Sequence, residues 1–166
     1  VKYAEAAQMY GRMMEVSERV ASREGSRHAE DARRELYRGQ CNCPYWHGVF
    51  GGLYMPFLRF GTYQRLIRAE NLVERKNARR DRVVKDFDFD GRPEVKLFNA
   101  HVNAYFKPDR GGAMYEFDDR QKACNLTAVM TRRPEAYHRR LVEAVRQAAA
   151  AQGDPGKIAS IHDRVR

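Results

Sequence analysis

Residues 40–52, Gln40-Cys41-Asn42-Cys43-Pro44-Tyr45-Trp46-His47-Gly48-Val49-Phe50-Gly51-Gly52, hold the only Trp, two of the three Cys and three of the twelve Gly. The stretch is too polar and glycine-rich for a core strand and too aromatic for a solvated linker. Aromatics on an irregular backbone, beside side-chain amides and an imidazole, suit a polyhydroxylated ligand. A sugar ring offers an apolar C–H face to an indole and hydroxyls to directional donors and acceptors. A second reading has the same residues as a helix–helix connection in which Trp46 and Phe50 plug the core. A third is metal chemistry: Cys41, Cys43 and His47 form C-x-C-x3-H, with Cys124 as a fourth ligand. Structural zinc favours two to four residues between cysteines, and a one-residue spacer on extended chain points the thiols to opposite faces. No metal and no cofactor is expected. Asp86, Asp88 and Asp90 are the other chemical cluster. Period-two alternation places them on one strand face, as a solvated edge rather than a catalytic pair.

A longer string carries a resemblance. Residues 33–59 run Arg33-Arg34-Glu35-Leu36-Tyr37-Arg38-Gly39 through the loop to Leu53-Tyr54-Met55-Pro56-Phe57-Leu58-Arg59. A second match comprises Asp86-Phe87-Asp88-Phe89-Asp90-Gly91-Arg92-Pro93-Glu94-Val95, Tyr105-Phe106-Lys107-Pro108, Gly111-Gly112 and Arg132-Arg133-Pro134-Glu135-Ala136-Tyr137-His138. The first resembles the last signature region of glycoside hydrolase family 57. The second resembles the start of the C-terminal β-sandwich domain in that family's α-amylase/4-α-glucanotransferase branch. The resemblance implies a retaining enzyme that cleaves or transfers α-1,4-glucan chains. Retaining glycosidases use two carboxylates about 5 Å apart. In this family both lie on an N-terminal barrel, so no catalytic residue is expected in residues 1–166. The chain is read as a piece of such an enzyme, starting at Val1 without an initiator Met.

The resemblance also implies substrate-binding residues. Trp46 matches the Trp that lines the sugar cleft. Cys43 stands where the family usually has an acid that bonds a sugar hydroxyl, and a thiol is a weak donor and acceptor. Gly39 replaces the usual Ala. Gln40, Asn42 and His47 match. Gln40 and Asn42 are expected to hold the loop by bonding backbone groups, and His47 to touch sugar or brace the wall. The implied partners are an α-glucan or malto-oligosaccharide and the catalytic barrel, with homodimerisation open for the intact protein.

The chain has 166 residues and a net charge of +9. Such a balance raises nucleic acid as a partner, and a non-catalytic module binding glycan or nucleic acid is the alternative function. The basic residues are spread along helices among acids, and the densest run, Arg75-Lys76-Asn77-Ala78-Arg79-Arg80-Asp81-Arg82, suits a helix end. No nucleic-acid motif is visible, and no apolar run approaches a membrane span or a secretion signal. Three cysteines do not make a disulfide framework, so reduced thiols and a cytoplasmic home are expected.

The elements that must position the loop follow from periodicity. Helices are predicted over 1–22, with Tyr3, Ala6, Tyr10, Met13, Ser17 and Val20 inward, and over about 27–40 after a Ser26 cap, with Ala29, Ala32, Leu36 and Tyr37 inward. A third starts at Pro56, where the missing N–H costs nothing, and carries Leu58, Thr62, Leu66, Ala69 and Val73. From Val83 the period becomes two. Four short antiparallel strands around Phe87-Phe89, Val95-Leu97, Val102-Phe106 and Ala113-Phe117 are expected to leave one apolar face open. A last helix is predicted over 134–151 and a weakly patterned tail to Arg166. The fold class is α+β, a three-helix bundle followed by a partial antiparallel sheet or sandwich and a C-terminal helix. Domains of 1–80 and 81–166 are expected.

Overall fold

The computed structural model describes residues 3–48, 50–74, 81–131 and 133–150, the last three of them as backbone only. Helices α1 (Ala4–Ala21), α2 (Ala29–Gly39) and α3 (Pro56–Val73) precede strands β1 (Asp81–Lys85), β2 (Glu94–Phe98), β3 (Val102–Lys107), β4 (Ala113–Asp119) and β5 (Cys124–Asn125). The strands form one antiparallel sheet in chain order. Residues 1–130 make one compact unit spanning the helices and the sheet. Residues 131–166 make a second, which contains α4 (Ala136–Ala150). The α+β class is as expected from the sequence. The predicted basic run lies outside the described residues from Arg75 to Arg80, as does the tail from residue 151.

Pro56 occupies the first turn of α3, as the sequence predicts. The three helices join along Val16, Val20, Ala32, Leu36, Leu66, Ala69 and Val73. A second apolar cluster, Tyr3, Ala6, Met9, Leu53, Tyr63, Ile67, Ala123 and Ala128, anchors the loop end of the bundle. Two predicted inward residues point out: Tyr10 is 46% exposed and Tyr37 62%. Tyr3, Ala6 and Val20 are buried as expected, and Met9, Arg12, Glu15 and Val16 complete the inward face of α1. A hydrophobic stripe read from sequence cannot register charged residues that face inward. Helix α2 begins at Ala29 with His28 as cap and no side-chain cap bond, so Ser26 does not act as one.

The sheet meets the helices through charge, not apolar surface. Cross-strand register aligns Lys96, Tyr105 and Glu116 in one row and Asn103 and Asp118 in the next. These side chains are at most 1% exposed and face α1 and α3. Arg12 bonds Glu70 (2.5 Å), Glu116 (2.9 Å), Glu15 (3.1 Å) and Asp118 (3.2 Å). Lys96 bonds Glu70 at 2.7 Å and Glu15 at 2.9 Å, and the Tyr105 hydroxyl donates to Glu15 at 2.7 Å. The alternate residues form the opposite, largely apolar face, on which Val84, Leu97 and Met114 are 45–60% exposed while Ala104 is buried. The expected open apolar face is present, while its reverse is a buried ionic layer that alternation alone did not reveal.

The segment after β1 departs from prediction. Residues 86–92 are an irregular loop joining β1 to β2, not a strand. Phe89 has φ 61°, incompatible with an extended strand. Asp86 accepts the backbone N–H groups of Asp90 and Gly91, which closes the turn. Asp88 is 6% exposed and pairs with Lys107. The three acids therefore do not form a solvated strand face.

Candidate functional site

The loop between α2 and α3 carries all four sequence-predicted site residues: Gln40, Cys43, Trp46 and His47. Its backbone is fixed from below. A short 3₁₀ turn over Cys43–Tyr45, with Pro44 buried, leads into Trp46, and another over Gly52–Tyr54 leads into α3. The Trp46 carbonyl accepts the Leu53 N–H at 2.9 Å. Gly52 lies against this junction with φ 48°, and a Cβ there would fall 2.2 Å from the Trp46 oxygen and 3.0 Å from the Cys43 oxygen. The close approach requires glycine and brings the Cys43 and Trp46 backbones to one point.

Buried polar side chains complete the lock. Tyr45 donates to the Gly39 carbonyl at 2.5 Å, and burial pushes its hydroxyl pKa up, so it stays a donor. Arg59, 7% exposed on α3, donates to the Leu53 carbonyl at 2.6 Å and to the Ala128 carbonyl at 3.3 Å. Tyr45 and Arg59 do what was expected of Gln40 and Asn42. Gln40 is exposed and reaches only Met13 Sδ, at 3.6 Å; neither amide bonds a backbone group among the described residues. The one signal for Arg59 was a cation on the inward stripe of α3.

His47 is braced: its Nδ1 and the Tyr3 hydroxyl share a hydrogen bond of 3.3 Å, and its ring meets Tyr54 edge-on at 4.8 Å. Cys41 and Cys43 are exposed free thiols. Trp46 is 50% exposed and packs over Gly48, whose Cβ would lie 3.0 Å from the indole. Phe50 is 91% exposed. Neither aromatic plugs the core. An indole half-open on a backbone held at several points is a preformed stacking face, with little conformational entropy left to lose on binding.

The basic residues near α2 are partly answered by acids. Arg34 pairs with Glu30, Arg38 and Arg65 with Glu35, and Arg120 with Glu74. Arg34, Arg38 and Arg120 border a cleft of about 540 Å³ that Asp31 and Glu35 also line. No helix among the described residues is long and apolar enough to cross a membrane.

Comparison with known proteins gives two family matches. Residues 1–73 match the middle domain of the alpha-amylase/4-alpha-glucanotransferase family, and residues 86–166 match that family's C-terminal domain. Alpha-amylase 1 of Dictyoglomus thermophilum is 41% identical over 163 residues, covering 98% of this chain and 22% of that protein. The 4-alpha-glucanotransferase of Thermococcus kodakarensis is 41% identical over 162 residues, again covering 98% of this chain and 22% of the relative. The crystal structure of 4-alpha-glucanotransferase from Thermococcus litoralis superposes with a TM-score of 0.71 at 38% identity, covering 82% of this chain and 20% of that one. The chain thus spans about a fifth of the length of the relatives it matches.

Proposed function

We propose, on the premise that this chain belongs to the alpha-amylase/4-alpha-glucanotransferase family, that it supplies the helical wall of an α-1,4-glucan cleft. The observation that carries the reading is the Trp46 ring, half-exposed on a loop whose backbone Gly52, Tyr45 and Arg59 hold rigid. Trp46 stacks on a glucose ring, and His47, the next residue, is fixed by Tyr3 and Tyr54 and braces the wall. Cys43 and Gln40 face solvent on the same loop and contact sugar hydroxyls. The chemistry belongs to a carboxylate pair on the catalytic barrel of the same polypeptide; the wall residues orient the chain being cut or transferred. The exposed free cysteines suit a reducing, cytoplasmic setting.

Trp46 is the only tryptophan, so intrinsic fluorescence reports on this ring alone. Titration with maltoheptaose is expected to shift or quench the emission saturably, while a β-1,4-linked glucan of equal length does not. A flat titration, together with unchanged activity of Trp46→Ala in the full-length enzyme, would remove the assignment.

A further inference from the structure

We propose that the loop between β1 and β2 binds a hard divalent cation of calcium's size. Asp86, Asp88, Asp90 and Glu94 each bring a carboxylate oxygen to one spot, and the four atoms lie within 4.8 Å of one another. Two of these side chains are buried, Asp88 at 6% and Glu94 at 0% exposure, and Asp88 Oδ1 has no donor. A buried carboxylate oxygen left without a donor is costly, and native structures rarely keep one.

Lys107 answers part of this charge. Its Nζ lies 2.5 Å from Asp88 Oδ2, 3.3 Å from Asp90 Oδ2 and 3.4 Å from Glu94 Oε1. One ammonium thus faces three carboxylates, while Asp86 bonds only the backbone N–H groups of Asp90 and Gly91. Asp88 Oδ2 stays with Lys107, and Asp88 Oδ1 is the oxygen left for an ion.

The donors select the ion. An all-carboxylate set suits hard cations and not thiophilic ones. Calcium holds oxygens at about 2.3–2.6 Å, so ligands across the ion stand roughly 4.6–5.2 Å apart, whereas the shorter bonds of magnesium allow only about 4.2 Å. A spread of 4.8 Å accommodates the larger ion. The loop also presses on α1, since a Cβ on Gly11 would fall 1.7 Å from the Phe87 carbonyl oxygen. Cation binding therefore stiffens a contact between helix and sheet.

Terbium(III) is the probe. The Tyr115 ring centre lies 5.7 Å from Lys107 Nζ, close enough for tyrosine to sensitise an ion in the loop. The chelator-stripped full chain is expected to show tyrosine-excited terbium emission that Ca²⁺ displaces and Mg²⁺ does not, and to retain Ca²⁺ in equilibrium dialysis. Asp86→Asn and Asp88→Asn should each weaken Ca²⁺ binding by about tenfold or more, and Lys107→Gln, which removes the competing ammonium, should tighten it. Near-ultraviolet circular dichroism of the stripped proteins checks that each variant is folded. If neither the wild type nor Lys107→Gln binds terbium or Ca²⁺ while folded, Lys107 alone is the counter-charge and the proposal fails. It fails equally if binding survives both aspartate substitutions unchanged.

Discussion

At the scale of single residues, the loop separates exposed groups from groups that hold its backbone. Trp46 is half-exposed and lies against its own loop's Gly48, so truncating it removes an open aromatic face. Trp46→Ala in the full-length enzyme is expected to lower kcat/KM on malto-oligosaccharides about tenfold, equivalent to about 1.4 kcal/mol, with the melting temperature nearly unchanged. A fall in melting temperature with activity per folded molecule intact would mean packing instead. Cys43 is exposed beside it and provides a weak hydrogen-bonding group. Cys43→Asp is expected to raise kcat/KM roughly tenfold, within the range of one charged hydrogen bond. Identical steady-state kinetics in this variant and the wild type would dismiss a sugar contact at Cys43. The binding candidates were legible in sequence because their types and spacing carry the chemistry. The holders were not: Arg59 reads as an ordinary helix cation until the fold brings the Leu53 and Ala128 carbonyls to it.

At the scale of elements, two glycines with opposite surroundings test how the loop and α3 are built. Gly52 has φ 48° and no room for a Cβ beside the Trp46 carbonyl. Gly52→Ala is expected to destabilise the protein by about 1–3 kcal/mol and to blunt the fluorescence response to maltoheptaose, because the Trp46 backbone must shift. Gly61 lies within α3 with nothing within 4 Å of a built Cβ. Gly61→Ala is expected to stabilise by about 0.5–1 kcal/mol through helix propensity. Chemical denaturation of both variants checks the pair, and equal effects would contradict it. The helix boundaries were legible because apolar spacing and Pro56 mark them. The 86–92 loop was not, because Asp and Phe in alternation satisfy a strand pattern, whereas Asp86 uses its carboxylate to close a turn.

At the scale of the whole molecule, the ionic layer decides how stability follows pH. Four carboxyls, Glu15, Glu70, Glu116 and Asp118, meet three cations, Arg12, Arg19 and Lys96. Burial opposes charge on all of them, and the acids divide. For Glu70 and Glu15 the nearby cations outweigh burial: Arg12 then Lys96 hold Glu70 well below the usual range, and Lys96 then Arg12 hold Glu15 at about 2. For Glu116, burial and then Asp118 push the carboxyl well above it, despite Arg12 at 2.9 Å. Burial raises Asp118 as well, and one proton on the Glu116–Asp118 pair would bring the negative charges level with the positive ones. The depressed pair contributes stability that is present above the ordinary carboxyl range and lost as pH falls toward about 2. Glu116 has the opposite sign: its contribution is present below that range and lost as pH rises toward its raised folded value. Glu116→Gln is therefore expected to match the wild type in acid and exceed it at neutral and higher pH, as read by melting temperature across pH. Parallel profiles would overturn a neutral Glu116. Glu70→Gln, which breaks the hub of the layer, is expected to cost about 3–5 kcal/mol.

The sequence by itself determined the class of fold, the helices, the strands β2 to β4 and the loop that carries the candidate sugar-binding residues, but not β1 or β5. Apolar periodicity, Pro and Gly placement and side-chain type are local properties that sequence displays directly. Only the tertiary structure decided that Trp46 is open rather than a core plug, and that helices and sheet meet through charge. The face that a charged residue turns inward depends on which opposite charge the fold brings to it: Arg12 and Glu116 stand 104 residues apart and bond at 2.9 Å. Separation along the chain carries no signal of that pairing, because each residue alone is indistinguishable from the many charges that face water.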